Sequence, residues 1–131
     1  MDNNTVNRNH DETLYSVGET CRITGITRKT LFYYDRIGLL VPYERTEPQQ
    51  FKLYDRKRLE RLNGIIEYRG AGLRIAEIRA LLDDCYVNRL EVMNGALERL
   101  LQEKNGVDRH IRNLKELIAT EENFARRNLE K

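Results

Sequence analysis

A row of residues in the last third of this 131-residue chain constrains the fold more than any other feature. Leu90, Met93, Leu97, Leu100, Lys104, Val107, Ile111, Leu114 and Ile118 recur at alternating spacings of three and four, and Lys104 alone breaks the apolar character. That is the a/d seam of a coiled coil. A helix of about 35 residues is about 50 Å long and cannot bury such a seam on itself. No other stretch offers a stripe of matching length, so a second copy of the same helix is expected to cover it, giving a two-fold homodimer. The alternative is a helix folded back on its own domain with breaks at Gly95 and Gly106, since glycine costs roughly 1 kcal/mol inside a helix.

The remainder has room for one compact domain beside that helix. The chain is 40% apolar and 34% charged, with a mean hydropathy of -0.71, too small and too polar for two full cores. No apolar run approaches the roughly 18 residues of a bilayer span, and residues 1–13 are polar apart from Val6 and Met1, which predicts a disordered arm rather than a secretory signal. A cytoplasmic protein without a membrane partner is expected. Cys21 and Cys85 lie far apart without CxxC spacing, so both are read as reduced thiols. His10 and His110 are the only histidines, and no Ser/His/Asp set, carboxylate pair or Gly-rich phosphate loop occurs. The chain is therefore not expected to be an enzyme.

The net charge of +2 is uninformative, but its distribution is not. Residues 22–61 hold ten basic and five acidic side chains, which leaves the rest of the chain near -3. Such a block fits a phosphate-binding surface, although a solvated face is the plainer alternative. Within it, Ser16 and Glu19 make a capping box that predicts a first helix, with Val17, Cys21 and Ile23 on its apolar side and Gly25 ending it. Thr27 then caps a helix over about 28–36 that Gly38 terminates, with Leu31 and Tyr34 turned toward the first helix. Two short helices on a tight turn form a helix-turn-helix, whose second helix enters the DNA major groove by its first residues, although many helical cores contain the same pair. Thr27, Arg28 and Lys29 hold that position, and Arg28 or Lys29 suits guanine O6 and N7. Alternation through Phe51, Lys52, Leu53 and Tyr54 predicts a small hairpin wing. Asp55 caps a helix over about 56–69 with Leu59, Leu62, Ile65 and Ile66 inward, and a short helix over about 74–82 presents Ile75, Ile78, Leu81 and Leu82.

The string from Tyr15 to Leu40, its core Thr30-Leu-Phe-Tyr-Tyr-Asp35 and Ile37-Gly-Leu-Leu40, together with Phe51-Lys-Leu-Tyr54 and the long heptad helix, resembles the MerR family of bacterial transcription regulators. The likeness extends over about residues 14–118. It implies a mainly α fold: a winged helix-turn-helix head over 14–83, a dimerisation helix over 84–120 forming an antiparallel coiled coil, and a short tail over 121–131. It also implies a homodimer on a palindromic site in double-stranded promoter DNA that bends and untwists an over-long spacer for RNA polymerase. By the same resemblance, Tyr33 and Tyr34 supply one packed ring and one phosphate contact, with Tyr34 preferred for the contact. Lys52 and Tyr54 grip the DNA backbone from the wing, and Arg45 precedes them in its loop.

This chain departs from the family in two places. Phe32 stands where the family usually has Arg, replacing a hydrogen-bonding contact by apolar surface that suits a thymine methyl or a sugar. Gln50-Phe51-Lys52 replaces the usual Gly-Tyr-Arg, and the segment before it is slightly long. Cys85 resembles the first metal-ligating cysteine of metal-sensing relatives, but neither Cys nor His follows Ile118, and an antiparallel seam centred near Lys104 sets Cys85 opposite Glu121, Glu122 and Asn123, poor partners for a soft ion. No metal or other cofactor is expected, no effector is identified, and no sizeable ligand-binding domain is expected after the helix. The competing readings are a coiled-coil adaptor that docks protein, an architectural DNA binder without inducer, and a thiol or metal sensor using Cys85.

Overall fold

In the computed structural model of the protein, residues 13–130 are described. The arm expected over residues 1–13 therefore lies, apart from Thr13, outside the described residues. The chain divides into two compact units, a head that ends at Val87 and a helical unit from Asn88.

The head begins with helix α1, Val17–Thr24. Ser16 Oγ accepts from the Glu19 amide at 3.1 Å, and the Glu19 carboxylate accepts from the Ser16 amide at 2.9 Å. Two otherwise orphaned donors are thus satisfied reciprocally. Gly25 ends the helix at φ 83°, a left-handed conformation that costs glycine little. Helix α2, Arg28–Arg36, follows after a three-residue turn, capped by Thr27, whose hydroxyl accepts from the Thr30 amide at 3.1 Å. Strands β1, Glu44–Arg45, and β2, Lys52–Leu53, form an antiparallel hairpin with Glu44 opposite Leu53 and Arg45 opposite Lys52. Helix α3, Arg56–Gly70, is capped by Asp55, and helix α4, Ile75–Asp83, completes the head. Helix α1 packs on α2 and α3, and α3 packs on α4.

The core sits where these helices meet: Leu31, Leu39, Leu40, Leu62, Ile65 and Ile78 are all essentially inaccessible. The inward stripe on α3 is centred on Leu62 and Ile65, with Leu59 and Ile66 half-buried beside them. Helix α1 departs from its expected apolar side, because Ile23 is exposed and Thr20 is the residue that is buried. The helical period explains this: Val17, Thr20, Cys21 and Thr24 share one face, which Ile23 does not. Thr24 Oγ1 donates back to the Thr20 carbonyl at 2.7 Å, using one hydroxyl within the helix.

The second unit is helix α5, Arg89–Glu130, 42 residues long and so about 63 Å from end to end. Asn88 Oδ1 accepts from the Glu91 amide at 3.1 Å at its start. The helix begins five residues later than expected and continues ten residues past the expected end at 120, so 121–130 is helix rather than tail. Residues 121–130 hold three Glu and two Arg, good helix formers, and contain neither Gly nor Pro, so nothing in that segment stops the helix. Gly95 and Gly106 lie inside it without a break.

Leu31→Ala empties the centre of the α2 inner face and is expected to cost about 2–5 kcal/mol. A urea titration followed by circular dichroism reads this as a lowered midpoint.

Candidate nucleic-acid interface

The outer face of α2 is set by the burial of its inner face. With Leu31 fully buried and Tyr34 only 7% exposed, the 3.6-residue period turns Arg28, Lys29, Phe32, Tyr33 and Arg36 outward together. Thr27, Arg28 and Lys29 are at the helix start, with Phe32 and Tyr33, 40% and 42% exposed, one turn further on. The Arg36 guanidinium lies over the Tyr33 ring, 5.6 Å from its centroid. The far end of α2 is tied down by arginines from the other helices. Arg79 of α4 donates to the Ile37 carbonyl and, at 3.4 Å, to that of Gly38, while Arg61 of α3 donates to the Leu39 carbonyl at 2.8 Å. Arg61 is held in turn by Asp83 through two bonds of 2.6 and 3.0 Å. Cations at the carbonyl end of a helix also suit its dipole.

Two of the expected contact residues face the other way. Tyr34, preferred over Tyr33 for a phosphate contact, packs inward, and Tyr33 is the outward ring. The i, i+3 relation to Leu31 decides this, since residues on one helix stripe share one fate. Tyr54 is fully buried. Strand β2 ends at Leu53, and Tyr54 pairs instead with Tyr15, exchanging backbone bonds of 2.7 and 2.9 Å. Its ring thereby leaves the wing face and enters the core. Its hydroxyl has no hydrogen-bond partner among the described residues, and burial pushes its pKa up to about 12.

The wing's cations converge on a residue that sequence reasoning did not single out. Arg45 donates to both oxygens of Asp35 at 2.9 Å, and Lys52 Nζ lies 2.8 Å from Asp35 Oδ2. Lys52 Nζ also stands 4.1 Å from the centre of the Phe32 ring, a cation–π contact. Hydrogen bonding from Arg45, joined by Lys52, holds the Asp35 carboxyl below its ordinary range despite partial burial. The one local signal for Asp35 is that it is the sole acid of α2 and stands in the last turn, where the helix dipole disfavours a negative charge. Its partners come only from the wing, ten and more residues further along the chain. Between the start of α1, α2 and the wing runs a groove of about 570 Å³, lined by Ser16, Gly18, Arg28, Phe32, Phe51 and Lys52. Its lining is mostly apolar, with the rings of Phe32 and Phe51 and two cations, Arg28 and Lys52, among it. Cys85 is exposed, and among the described residues no group of three His, Cys, Asp or Glu side chains is placed to hold a metal ion. No helix among the described residues is long and apolar enough to cross a membrane.

Capped helix, tight turn, exposed second helix and flanking hairpin define a winged helix-turn-helix. Residues 15–85 match the family described as MerR HTH family regulatory protein, and the chain belongs to that family of DNA-binding transcriptional regulators. It is 46% identical over 70 residues to the HTH-type transcriptional activator TipA of Streptomyces coelicolor, an alignment covering 53% of this chain and 27% of TipA. The chain thus spans about a quarter of that relative's length. The crystal structure of MtaN, the N-terminus of the Bacillus subtilis multidrug transporter activator, superposes with a TM-score of 0.69 at 31% identity, covering 79% of this chain and 97% of MtaN. The EcmrR–DNA complex within EcmrR-RPo gives a TM-score of 0.64 at 26% identity, covering 71% of this chain and 34% of EcmrR.

Because the native Tyr54 phenol ionises near 12 and an unfolded one near 10, stability is undiminished below about pH 10 and falls as pH rises toward 12. Tyr54→Phe is expected to abolish that alkaline decline and to leave stability at pH 7 equal or higher, since it deletes an unpaired buried hydroxyl. Urea midpoints at pH 7 and pH 11 test both statements.

Proposed function

We propose that this chain binds double-stranded promoter DNA as a homodimer and regulates transcription from it. The observation that carries the reading is the single outward face of α2, with Arg28 and Lys29 at its first turn and the wing cations Arg45 and Lys52 beside it, on a head of the MerR family. In this reading α2 enters the major groove, Arg28 and Lys29 reach base edges, and Phe32 and Tyr33 lie against sugars or thymine methyls near the groove wall. The wing follows the adjacent phosphates. Fixing phosphates on both sides of the groove sets the register in which α2 reads bases.

The homodimer is supported by the long helix. Leu90, Leu97, Val107, Ile111, Leu114 and Ile118 are between 45% and 71% exposed in the single chain. An apolar row of that length is the expected state of an unpaired coiled-coil seam. Antiparallel pairing of two α5 helices then sets the distance between two heads, and a palindromic site is the matching DNA symmetry. A fixed head separation that differs from that of straight DNA bends and untwists the spacer at a cost of a few kcal/mol, drawn from phosphate contacts. RNA polymerase is the partner such a realigned promoter would serve.

Selection of bound duplexes from a random library by the purified protein is expected to return a two-fold symmetric site. Failure to enrich any sequence would count against the reading. On that site, Arg28→Ala is expected to cost about 1–3 kcal/mol and to relax preference at one base pair per half-site. In sedimentation velocity, the wild type is expected as a dimer at micromolar concentration, and Ile111→Asp as a monomer. A monomeric wild type would remove the dimer from the proposal.

A further inference from the structure

Arg45 and Lys52 stand directly opposite each other across the two strands of the wing. Like charges at opposed positions repel, and a two-stranded hairpin is at best marginal alone. The wing is nevertheless paired, with the Tyr43 amide donating to the Leu53 carbonyl at 2.8 Å and the Thr46 amide to that of Phe51 at 2.9 Å. What reconciles the two cations is the Asp35 carboxylate of α2, which takes the fork of Arg45 and the ammonium of Lys52 together. The acid lies beneath, its side chain 8% exposed, and the cations lie above it with more of their surface open. Phe32, one turn earlier on the same helix, adds its ring to the site that holds Lys52.

We propose that Asp35, with Phe32, is the positioning residue that fastens the wing to the recognition helix, so that Arg45 and Lys52 meet the DNA backbone at a set distance from Arg28 and Lys29. This rests on the DNA-binding reading above. It makes a prediction opposite in sign to simple charge counting. A carboxylate on a DNA-facing surface repels phosphate, so its neutralisation alone should tighten binding and steepen the salt dependence. If Asp35 is a fastener, its loss leaves two cations opposed without their common partner, and the wing loses its place.

The test uses the full chain as wild type, Asp35→Asn, Asp35→Glu and Phe32→Leu, with two readouts. Amide hydrogen exchange without DNA reports on the wing, and duplex binding across a salt series reports on the interface. Asp35→Asn is expected to speed exchange at Tyr43 and Thr46 by about ten-fold and to weaken duplex binding by about ten-fold, the scale of a lost charge-assisted bond. Exchange in the middle of α3 should stay unchanged. Asp35→Glu should recover most of the binding, and Phe32→Leu, which keeps an apolar side chain and the net charge, should weaken it by a few-fold. Wing exchange unchanged in Asp35→Asn, or binding as tight as or tighter than wild type, overturns the proposal. A wild type that binds no duplex refutes the DNA-binding reading instead, and the exchange data then still decide whether Asp35 fastens the wing.

Discussion

The seating of α2 is the constraint on which the head depends. One side of this nine-residue helix is spent on the core through Leu31 and Tyr34, and the carbonyls of Ile37, Gly38 and Leu39 just past its end are held by Arg79 and Arg61. A short helix has little stability of its own, so tertiary contacts decide whether it exists and how it is rotated. Once rotation is fixed, the outward residues follow from the helical period. Arg28 and Lys29 are exposed because Leu31 is not.

Electrostatics organises the same surface at a second level. The outer face of α2 and the wing carry several cations, Arg28, Lys29, Arg36, Arg45 and Lys52, whose mutual repulsion works against the compact state. The repulsion is relieved locally by single acids. Asp35 joins Arg45 and Lys52, Asp83 holds Arg61, and Asp55 accepts from both the Arg58 amide and its guanidinium, at 3.0 and 3.2 Å. Each of these carboxylates ties one element to another or closes a helix end. The first two are also held below the ordinary carboxylate range, chiefly by the arginine that each one binds. Aromatic rings extend the pattern, with Phe32 under Lys52, Tyr33 under Arg36 and Tyr43 under Arg58.

Helix α5 is built on the opposite principle. Its apolar residues have no counterpart on their own helix, and the exposed members of the row, Leu90, Leu97, Val107, Ile111, Leu114 and Ile118, carry a large unfavourable hydration term, while Met93 and Leu100 are half-buried. In the proposed pairing, Lys104 in the middle of the row would weaken a purely apolar seam while narrowing the registers that can form. The helix continues beyond the seam, with Phe124 and Leu129 exposed past Ile118.

Caps, turns and periodicities could be read directly from the residues because each is a local rule: Ser16 with Glu19, Thr27 before α2, Asp55 before α3, glycine at the turns, and the three-four repeat of the seam. Local rules say little about which side of a short strand faces the core, or which distant charge a side chain meets. Tyr54 reads as a wing residue by alternation, yet pairing with Tyr15 draws it inward; at Tyr34 the i, i+3 stripe with Leu31 gives the inward side correctly, and only the family resemblance points outward. Asp35 is one acid among basic neighbours along the chain, and it becomes the junction of helix and wing only when β1 and β2 return beside it. Short-range hydrogen bonding and side-chain period are encoded within a few neighbouring residues, whereas burial and charge pairing belong to surfaces that folding brings together from far apart.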